Sequence, residues 1–327
     1  MKYNYCGKSG LQLPQVSLGM WHNFGSVDNF DNSRSMLLTA FEEGITHFDL
    51  ANNYGPIPGS AELTFGKVLK SDLAAHRDEL VISSKAGYTM WNEGAGGWYE
   101  GSPYGDGGSR KYLIASCEQS LKRTGLDYFD IFYSHRYDPN TPIEETMQAL
   151  VDIVRSGKAL YAGISNYPVE QQKQCYDYLK AHDVPCLISQ YKANLLQQET
   201  LFGQFPAAKE AGSGFITFCP LAQGLLTDRY FKGIPAGSRA TKGVFLKPEQ
   251  VSDRTVRTAI RLNELAAKRG QSLAQMALAW LLHFGVTSVL IGASSVAQLK
   301  NNIGAVDNTS FTAEEIAEID RILKLED

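Results

Sequence analysis

Eight short and almost uninterrupted apolar runs recur along the chain: "VSLG", "ITHFD", "LVISSK", "FDIFYSH", "LYAGIS", "CLISQ", "GFITFCP" and "SVLIG". A strand with one solvated face alternates apolar and polar side chains, whereas a run that is apolar at nearly every position is buried on both faces. Longer amphipathic stretches separate the runs. Among them are "NSRSMLLTAFEEG", "SRKYLIASCEQSLKRTG", "PIEETMQALVDIVRSG" and "SLAQMALAWLLHFG", each closing on a glycine that can stop a helix. Strand then helix, repeated, implies parallel strands covered by helices. Eight such units, with no shift in composition to mark a linker, favour an α/β fold closed into a (β/α)8 TIM barrel over an open doubly wound sheet. A length of 327 residues would also admit two domains. The unbroken repeat points instead to one barrel domain over residues 1–327.

Two stretches exceed the bare repeat and predict long βα loops and an extra helix. "AGYTMWNEGAGGWYEGSPYGDGG", residues 86–108, follows the third run and is rich in glycine and aromatics. Loops of that length in a compact domain are usually functional, and this one lies on the side where barrel active sites form. The other stretch runs from "AQGLLTDRYFKGIPAGSRATKG" into a helical pattern around "RTVRTAIRLNELAAKRG".

Composition narrows the function classes. With 43% hydrophobic and 20% charged residues, the chain is an ordinary globular protein with a sizeable core. A formal net charge of -4, without a basic cluster, leaves no footprint for nucleic acid and points to small molecules. The opening "MKYNYCGKSGLQLP" lacks the apolar core of a signal peptide, and no run approaches the ~20 apolar residues of a membrane span, so a cytoplasmic location without membrane contact is expected. Cys6, Cys117, Cys175, Cys186 and Cys219 never fall as C-x-x-C, which suggests neither a disulfide framework nor a zinc knuckle. They read as small buried hydrophobes, with room for one near a site.

In a parallel barrel the C-terminal ends of the strands ring the site. Asp49 ends the second run, Lys85 the third and His135 the fourth, while Tyr54 follows the second in "DLANNYG". Any one of them has an ordinary explanation, since a charged strand end is often merely solvated and a single histidine is more often structural than catalytic. Four titratable residues at consecutive strand ends are harder to explain that way. Their chemistry coheres if a proton is delivered to a carbonyl oxygen. A phenol with an ordinary pKa of ~10 is a poor proton donor at neutral pH unless a neighbouring cation stabilises its phenolate. Lys85 would supply that cation, Asp49 would hold Lys85 charged and oriented, and His135 would hydrogen-bond the same oxygen as negative charge develops.

Such a carbonyl also needs a nucleophile. G-x-S-x-G is absent, and so is the dinucleotide fingerprint G-x-G-x-x-G in its strand-to-helix setting, yet a hydride from a nicotinamide fits the four residues best. "YDYLK", Tyr176 to Lys180, imitates a Y-x-x-x-K pair but lies in an amphipathic outer helix and reads as surface. Neither H-E-x-x-H nor H-x-H occurs, so no metal is expected and a metal-dependent barrel hydrolase is disfavoured.

"DLANNYG", Lys85 and His135 together make the chain resemble the aldo-keto reductases, a nicotinamide-dependent (β/α)8 family. "SRKYLIASCEQSLKRTGLDYFDIFYSHR" and "FCPLAQGLLTDRYFKGIP" are most similar to the branch that holds the bacterial L-glyceraldehyde-3-phosphate reductases and the potassium-channel β subunits. The resemblance implies NADPH-dependent reduction of small aldehydes, such as L-glyceraldehyde 3-phosphate or methylglyoxal, with Tyr54 as general acid. An NADPH-binding, redox-sensing regulatory subunit of slow turnover is the alternative, and the presence of His135 favours the working reductase. The resemblance also allows for a homo-oligomer. It further implies that Ser165 and Asn166 in "GKALYAGISNY", with Gln190 in "SQY", bind the nicotinamide carboxamide and that Phe218 stacks on the nicotinamide. Asp49 belongs to the cofactor set as well as to the catalytic one. Leu221, Gln223, Gly224 and Arg229 would line the pyrophosphate, with Arg239 near the adenosine, and Ser294, Gln298 and Asn302 would hold the adenosine and its 2'-phosphate at a helix N-terminus. Trp21 would flank the carbonyl pocket. Ser295 stands where relatives can carry an arginine, and Ala193 replaces the tyrosine usual before Asn194, which together predict a modest preference for the 2'-phosphate and an altered outer wall of the pocket.

Overall fold

The computed structural model describes residues 1–55, 57–90, 106–243 and 245–324. Ten strands form among them: β1 (Tyr3–Tyr5), β2 (Gln12–Pro14), β3 (Val16–Gly19), β4 (His47–Asp49), β5 (Val81–Ala86), β6 (Phe129–Ser134), β7 (Ala159–Ser165), β8 (Ile188–Lys192), β9 (Gly214–Phe218) and β10 (Ser288–Ile291). β3 to β10 pair in chain order, all parallel, and β10 returns to β3 to close an eight-stranded barrel. Each of the eight apolar runs supplies one strand, and the (β/α)8 architecture read from their spacing is the one observed.

The intervening segments become helices for local reasons. Ser109 Oγ accepts from Tyr112 N to start the helix Arg110–Thr124, and Gly125, at φ 72°, ends it by donating its N–H to Leu121 O. The helix Leu273–His283 opens on a capping box between Ser272 and Gln275 and is buried on nearly every face, because it lies against other helices as well as the barrel. The extra pattern after the seventh barrel strand forms the helix Asp253–Lys268. Apolar side chains between barrel and helices make the larger core.

The antiparallel pair β1 and β2 is not foreshadowed by the eight-run pattern. It brings Cys6 and Leu13 against Val81, Ile131, Ile188, Ile216 and Leu290, and so plugs the N-terminal end of the barrel. With that end filled, the accessible chemistry is confined to the opposite mouth.

One expectation is corrected. Tyr176 is not at the surface: on the helix Val169–Ala181 it is buried against the barrel, its hydroxyl 2.7 Å from Ser189 Oγ, while Lys180 is exposed. The two lie one turn apart on the same side of the helix. The Tyr176 hydroxyl, however, is taken by Gln172 and Ser189 while Lys180, in the last turn, reaches solvent, and no hydrogen bond joins them among the described residues. Residues 91–105, the greater part of the long glycine-rich loop read as functional, lie outside the described residues. No helix among the described residues is long and apolar enough to cross a membrane.

Candidate active site

Register builds the centre of the site. Asp49, last in β4, pairs with Ser83 of β5, and Lys85 stands two residues further along the same strand, on the same face. Lys85 Nζ donates to Asp49 Oδ2 at 2.6 Å, to Leu50 O at 2.6 Å and to the Tyr54 hydroxyl at 3.3 Å. The other carboxylate oxygen, Asp49 Oδ1, accepts from Ser83 Oγ at 2.7 Å and from Gln190 Nε2 at 3.1 Å. Asp49 and Lys85 are wholly buried. An ion pair removed from water persists only when its remaining hydrogen-bonding capacity is met, and here both partners are multiply bonded.

Tyr54 reaches the lysine through a short turn. Leu50 N donates to Ser83 O and Asn52 N to Lys85 O, which continues the strand pairing briefly, and Tyr54 N then donates to Ala51 O. Gly55 has a φ of 94°, and a Cβ there would lie 2.1 Å from Ser60 Oγ, so the residue after Tyr54 has to be glycine. The Tyr54 ring stands edge-on to His135 at 5.8 Å and tilted to Trp21 at 6.4 Å. His135 follows β6, fixed by its backbone N–H to Ala86 O and by edge contact with Tyr88 at 4.7 Å. Its Nδ1 is buried and has no hydrogen-bond partner among the described residues.

Burial sets the protonation states. It pushes the Tyr54 phenol well above its usual value, with the Asp49 charge adding to the rise, so the group is fully protonated at neutral pH. Burial lowers the Lys85 ammonium, and Asp49 opposes that by favouring the charged form. His135 is held well below the usual histidine range by burial, then by the charges of Lys85 and Arg136, and is therefore neutral. A protonated phenol beside a paired ammonium and a neutral imidazole can deliver a proton and hydrogen-bond the accepting oxygen.

A cavity of about 320 Å³ opens over these groups, lined by Trp21, Asn53, Tyr54, Tyr88, His135, Asn166, Gln190, Lys192, Phe218, Cys219, Gln223 and Phe245. Asn166, just past β7, adopts a left-handed φ of 58°; its Nδ2 donates to Ser165 Oγ at 3.0 Å and to His135 O at 3.1 Å. Phe218 ends β9, and the turn after it carries Leu221, Gln223 and Gly224. Gln223 Oε1 accepts from Arg239 Nη1. Arg229, exposed, is close enough for its like charge to disfavour the charged form of Arg239, on top of the larger effect of burial. Beyond β10, Ser294 donates from N and Oγ to Gln298 Oε1 at 2.8 and 3.0 Å, at the start of the helix Val296–Ile303, whose inner face buries Asn302.

The structure thus brings Trp21, Tyr54, His135, Asn166, Gln190 and Phe218 to the wall of one cavity, with Lys85 and Asp49 bonded behind Tyr54 and Ser165 bonded to Asn166. Ser294, Gln298 and Asn302 form a second group. Among the described residues no hydrogen bond joins Arg229 or Arg239 to that second group.

Several lining residues escaped the sequence reading. Tyr88, Phe245, Cys219 and Lys192 all face the cavity, and Trp21 is held edge-on by Phe245 at 4.4 Å. Cys219 is the one cysteine near the site; the other four are buried. Behind Asp49, Ser83 belongs to a buried chain in which His47 Nε2 meets Ser83 Oγ at 3.0 Å, His47 Nδ1 meets Ser17 Oγ at 2.9 Å, and Ser17 Oγ meets Ser288 Oγ at 2.7 Å. Small polar residues inside runs otherwise read as apolar were the available signal for it.

The profile of the aldo/keto reductase family matches residues 15–324, which takes in all eight barrel strands. Over 327 residues the chain is 53% identical to a protein named L-glyceraldehyde 3-phosphate reductase from Escherichia coli (strain K12), covering 98% of this chain and 92% of that relative. Its counterpart in Escherichia coli O157:H7 gives the same identity and the same coverage. Likeness of this extent, on a closed parallel barrel, identifies the chain as an oxidoreductase that belongs to the aldo/keto reductase family.

Proposed function

We propose that the protein reduces small aldehydes to alcohols with NADPH, with Tyr54 as the general acid, and that L-glyceraldehyde 3-phosphate and methylglyoxal are among its substrates. The observation that carries this reading is the buried set in which Lys85 bridges Asp49 and the Tyr54 hydroxyl at the cavity floor. Bound NADPH supplies the hydride to the carbonyl carbon. Tyr54 gives its proton to the carbonyl oxygen, and Lys85 stabilises the phenolate that remains until solvent returns a proton. Asp49, locked by Ser83 and Gln190, keeps Lys85 charged and aimed. His135, neutral, hydrogen-bonds the carbonyl oxygen and orients it.

The chain's own residues fit such a cofactor. Asn302 is 1% exposed, yet its Nδ2 has no hydrogen-bond partner among the described residues, which leaves a buried donor for the ligand. Asn166 and Gln190 present amides on the wall that Phe218 also lines. Arg229 suits the pyrophosphate, and Arg239, a neighbouring cation, suits the adjoining adenosine end. The similarity of the chain to L-glyceraldehyde 3-phosphate reductases supports the substrate class. Five free cysteines suit the reducing cytosol, where we place the protein.

Tyr54→Phe tests the reading. Removal of the hydroxyl acts on the substrate oxygen and not on the cofactor, so kcat should fall ~100- to 10,000-fold while NADPH binding, followed by its fluorescence, stays close to wild type. A variant that kept more than about a tenth of the wild-type kcat would place the acid elsewhere. A wild type that oxidises bound NADPH once but turns over slowly with every aldehyde would favour a regulatory subunit.

A further inference from the structure

Among the described residues that line the catalytic cavity, Lys192 is the one with a permanently charged side chain. The rest of the wall is aromatic rings, amides, a thiol that burial keeps protonated and an imidazole that burial keeps neutral. Strand periodicity explains its position. Gln190 points into the barrel and donates to Asp49, so Lys192, two residues on in β8, shares that face about 6.6 Å nearer the mouth. Its register partner is Phe218.

A lysine at a strand end is ordinarily just solvated. Two observations set Lys192 apart. Its ammonium has no hydrogen-bond or ion-pair partner among the described residues, whereas Lys85, the other lysine of the site, is fully committed. It also stands at a junction: Lys192, Gln223 and Phe245 line both the catalytic cavity and an adjoining one of about 630 Å³. An unpaired cation on an otherwise neutral wall favours an anion there, because no acid lines the catalytic cavity to compete for it.

We propose that Lys192 is a specificity-determining residue that takes the phosphate of a short phosphorylated aldehyde while the carbonyl rests against Tyr54 and His135. The inference rests on the aldehyde-reductase reading above and adds to it the residue that selects the substrate class. A substrate with its aldehyde at the cavity floor and a phosphate at its far end spans the single strand step from Gln190 to Lys192 without leaving the cavity. An uncharged aldehyde of the same length gains nothing from the lysine.

The test compares Lys192→Met and Lys192→Arg with wild type on L-glyceraldehyde 3-phosphate and on methylglyoxal, together with NADPH affinity in the absence of substrate. The expected result for Lys192→Met is that the ratio of kcat/KM for the phosphorylated over the uncharged aldehyde falls about 10- to 100-fold, mostly through KM, as befits loss of a charge-assisted hydrogen bond. Lys192→Arg should restore most of that ratio, and added salt should erode it in the wild type. An unchanged ratio in Lys192→Met overturns the proposal. So does a loss of NADPH affinity that accounts for the whole effect, since the lysine would then serve the cofactor's pyrophosphate. A wild type inactive on both aldehydes is a different failure, because it removes the aldehyde-reductase reading itself.

Discussion

Lys85 Nζ lies 2.6 Å from Asp49 Oδ2 with neither side chain exposed, and only its longer contact, 3.3 Å, is left for the Tyr54 hydroxyl. The lysine is therefore anchored first by Asp49 and Leu50 and reaches Tyr54 second. Ser83 and Gln190 occupy the far oxygen of Asp49, so the carboxylate cannot turn without breaking two further bonds. Geometry that must hold the phenol in line is thereby fixed before any substrate arrives.

Asp49→Asn should make the cost of that arrangement visible. It leaves a buried ammonium with the Leu50 carbonyl and a neutral amide, and breaking a buried pair in this way typically costs about 3–5 kcal/mol. The sign of the pH dependence follows from Lys85, whose pKa burial already lowers from 10.5. Without Asp49 it falls further, and between that value and 10.5 the unfolded chain binds more protons than the folded one, so stability rises with pH. The deficit measured by urea unfolding should thus be greatest near neutrality and shrink as pH climbs towards 10.5. A deficit that grows with pH would mean that Lys85 is not the group left uncompensated. Asp49→Asn combined with Lys85→Met, which removes both charges, should be more stable than Asp49→Asn alone.

Lys85→Met isolates the effect of the cation on the phenol. In the proposed reaction Tyr54 must be protonated, so the rate should decline as pH rises through the phenol's pKa, which burial and Asp49 already hold high. With the ammonium gone and Asp49 unopposed, that decline should move to still higher pH, while the plateau drops because the phenolate left by proton transfer is no longer stabilised. His135 should add no break near its usual 6.5, since burial and the charges of Lys85 and Arg136 keep it neutral there. The check is kcat against pH for folded, cofactor-bound protein. An unchanged profile in Lys85→Met would dissociate the pair, and a break near 6.5 in the wild type would mean that His135 titrates.

The barrel and the residue cluster at its floor were legible because both follow from short-range regularities. A run such as "LVISSK" encodes a strand by its apolar continuity and a site residue by its last letter, and the same holds for His135 at the end of "FDIFYSH". What escaped has a different origin. Ser83 lies within that same run and looks like a tolerated small residue until the register of β4 and β5 sets it beside Asp49. Tyr176 could be placed on a helix but not on a face of it, because the helix Val169–Ala181 mixes polar residues into its buried stripe, Gln172 included. The hairpin β1–β2 is only three residues on each side, too short to show a period. Lys192 becomes conspicuous only when the neutrality of the surrounding wall is known, and that wall is assembled from residues scattered from Trp21 to Phe245.

The proposed preference for NADPH is expected to depend on Ser295, and here the structure adds to the expectation. Read from the sequence, Ser295 merely stands where an arginine could be. In the fold its Oγ accepts from Gln298 N and caps the helix Val296–Ile303, the helix to whose N-terminus the proposed reading assigns the 2'-phosphate. That end of the helix favours an anion by about 0.3–1 kcal/mol without any cation, and the ester carries close to two charges at neutral pH, so the wild type should prefer NADPH modestly. Ser295→Arg should therefore have two opposed effects. Loss of the cap should lower stability by about 1 kcal/mol, while the guanidinium should tighten NADPH about tenfold, leave NADH little changed and lose its advantage in high salt. Ser295→Ala separates the two, since it shares the loss of stability and gains no affinity. Dissociation constants for both cofactors, measured beside thermal unfolding of the three proteins, decide the matter. If Ser295→Arg shifts NADPH and NADH equally, the start of this helix does not read the 2'-phosphate, and Ser295 is a cap and nothing more.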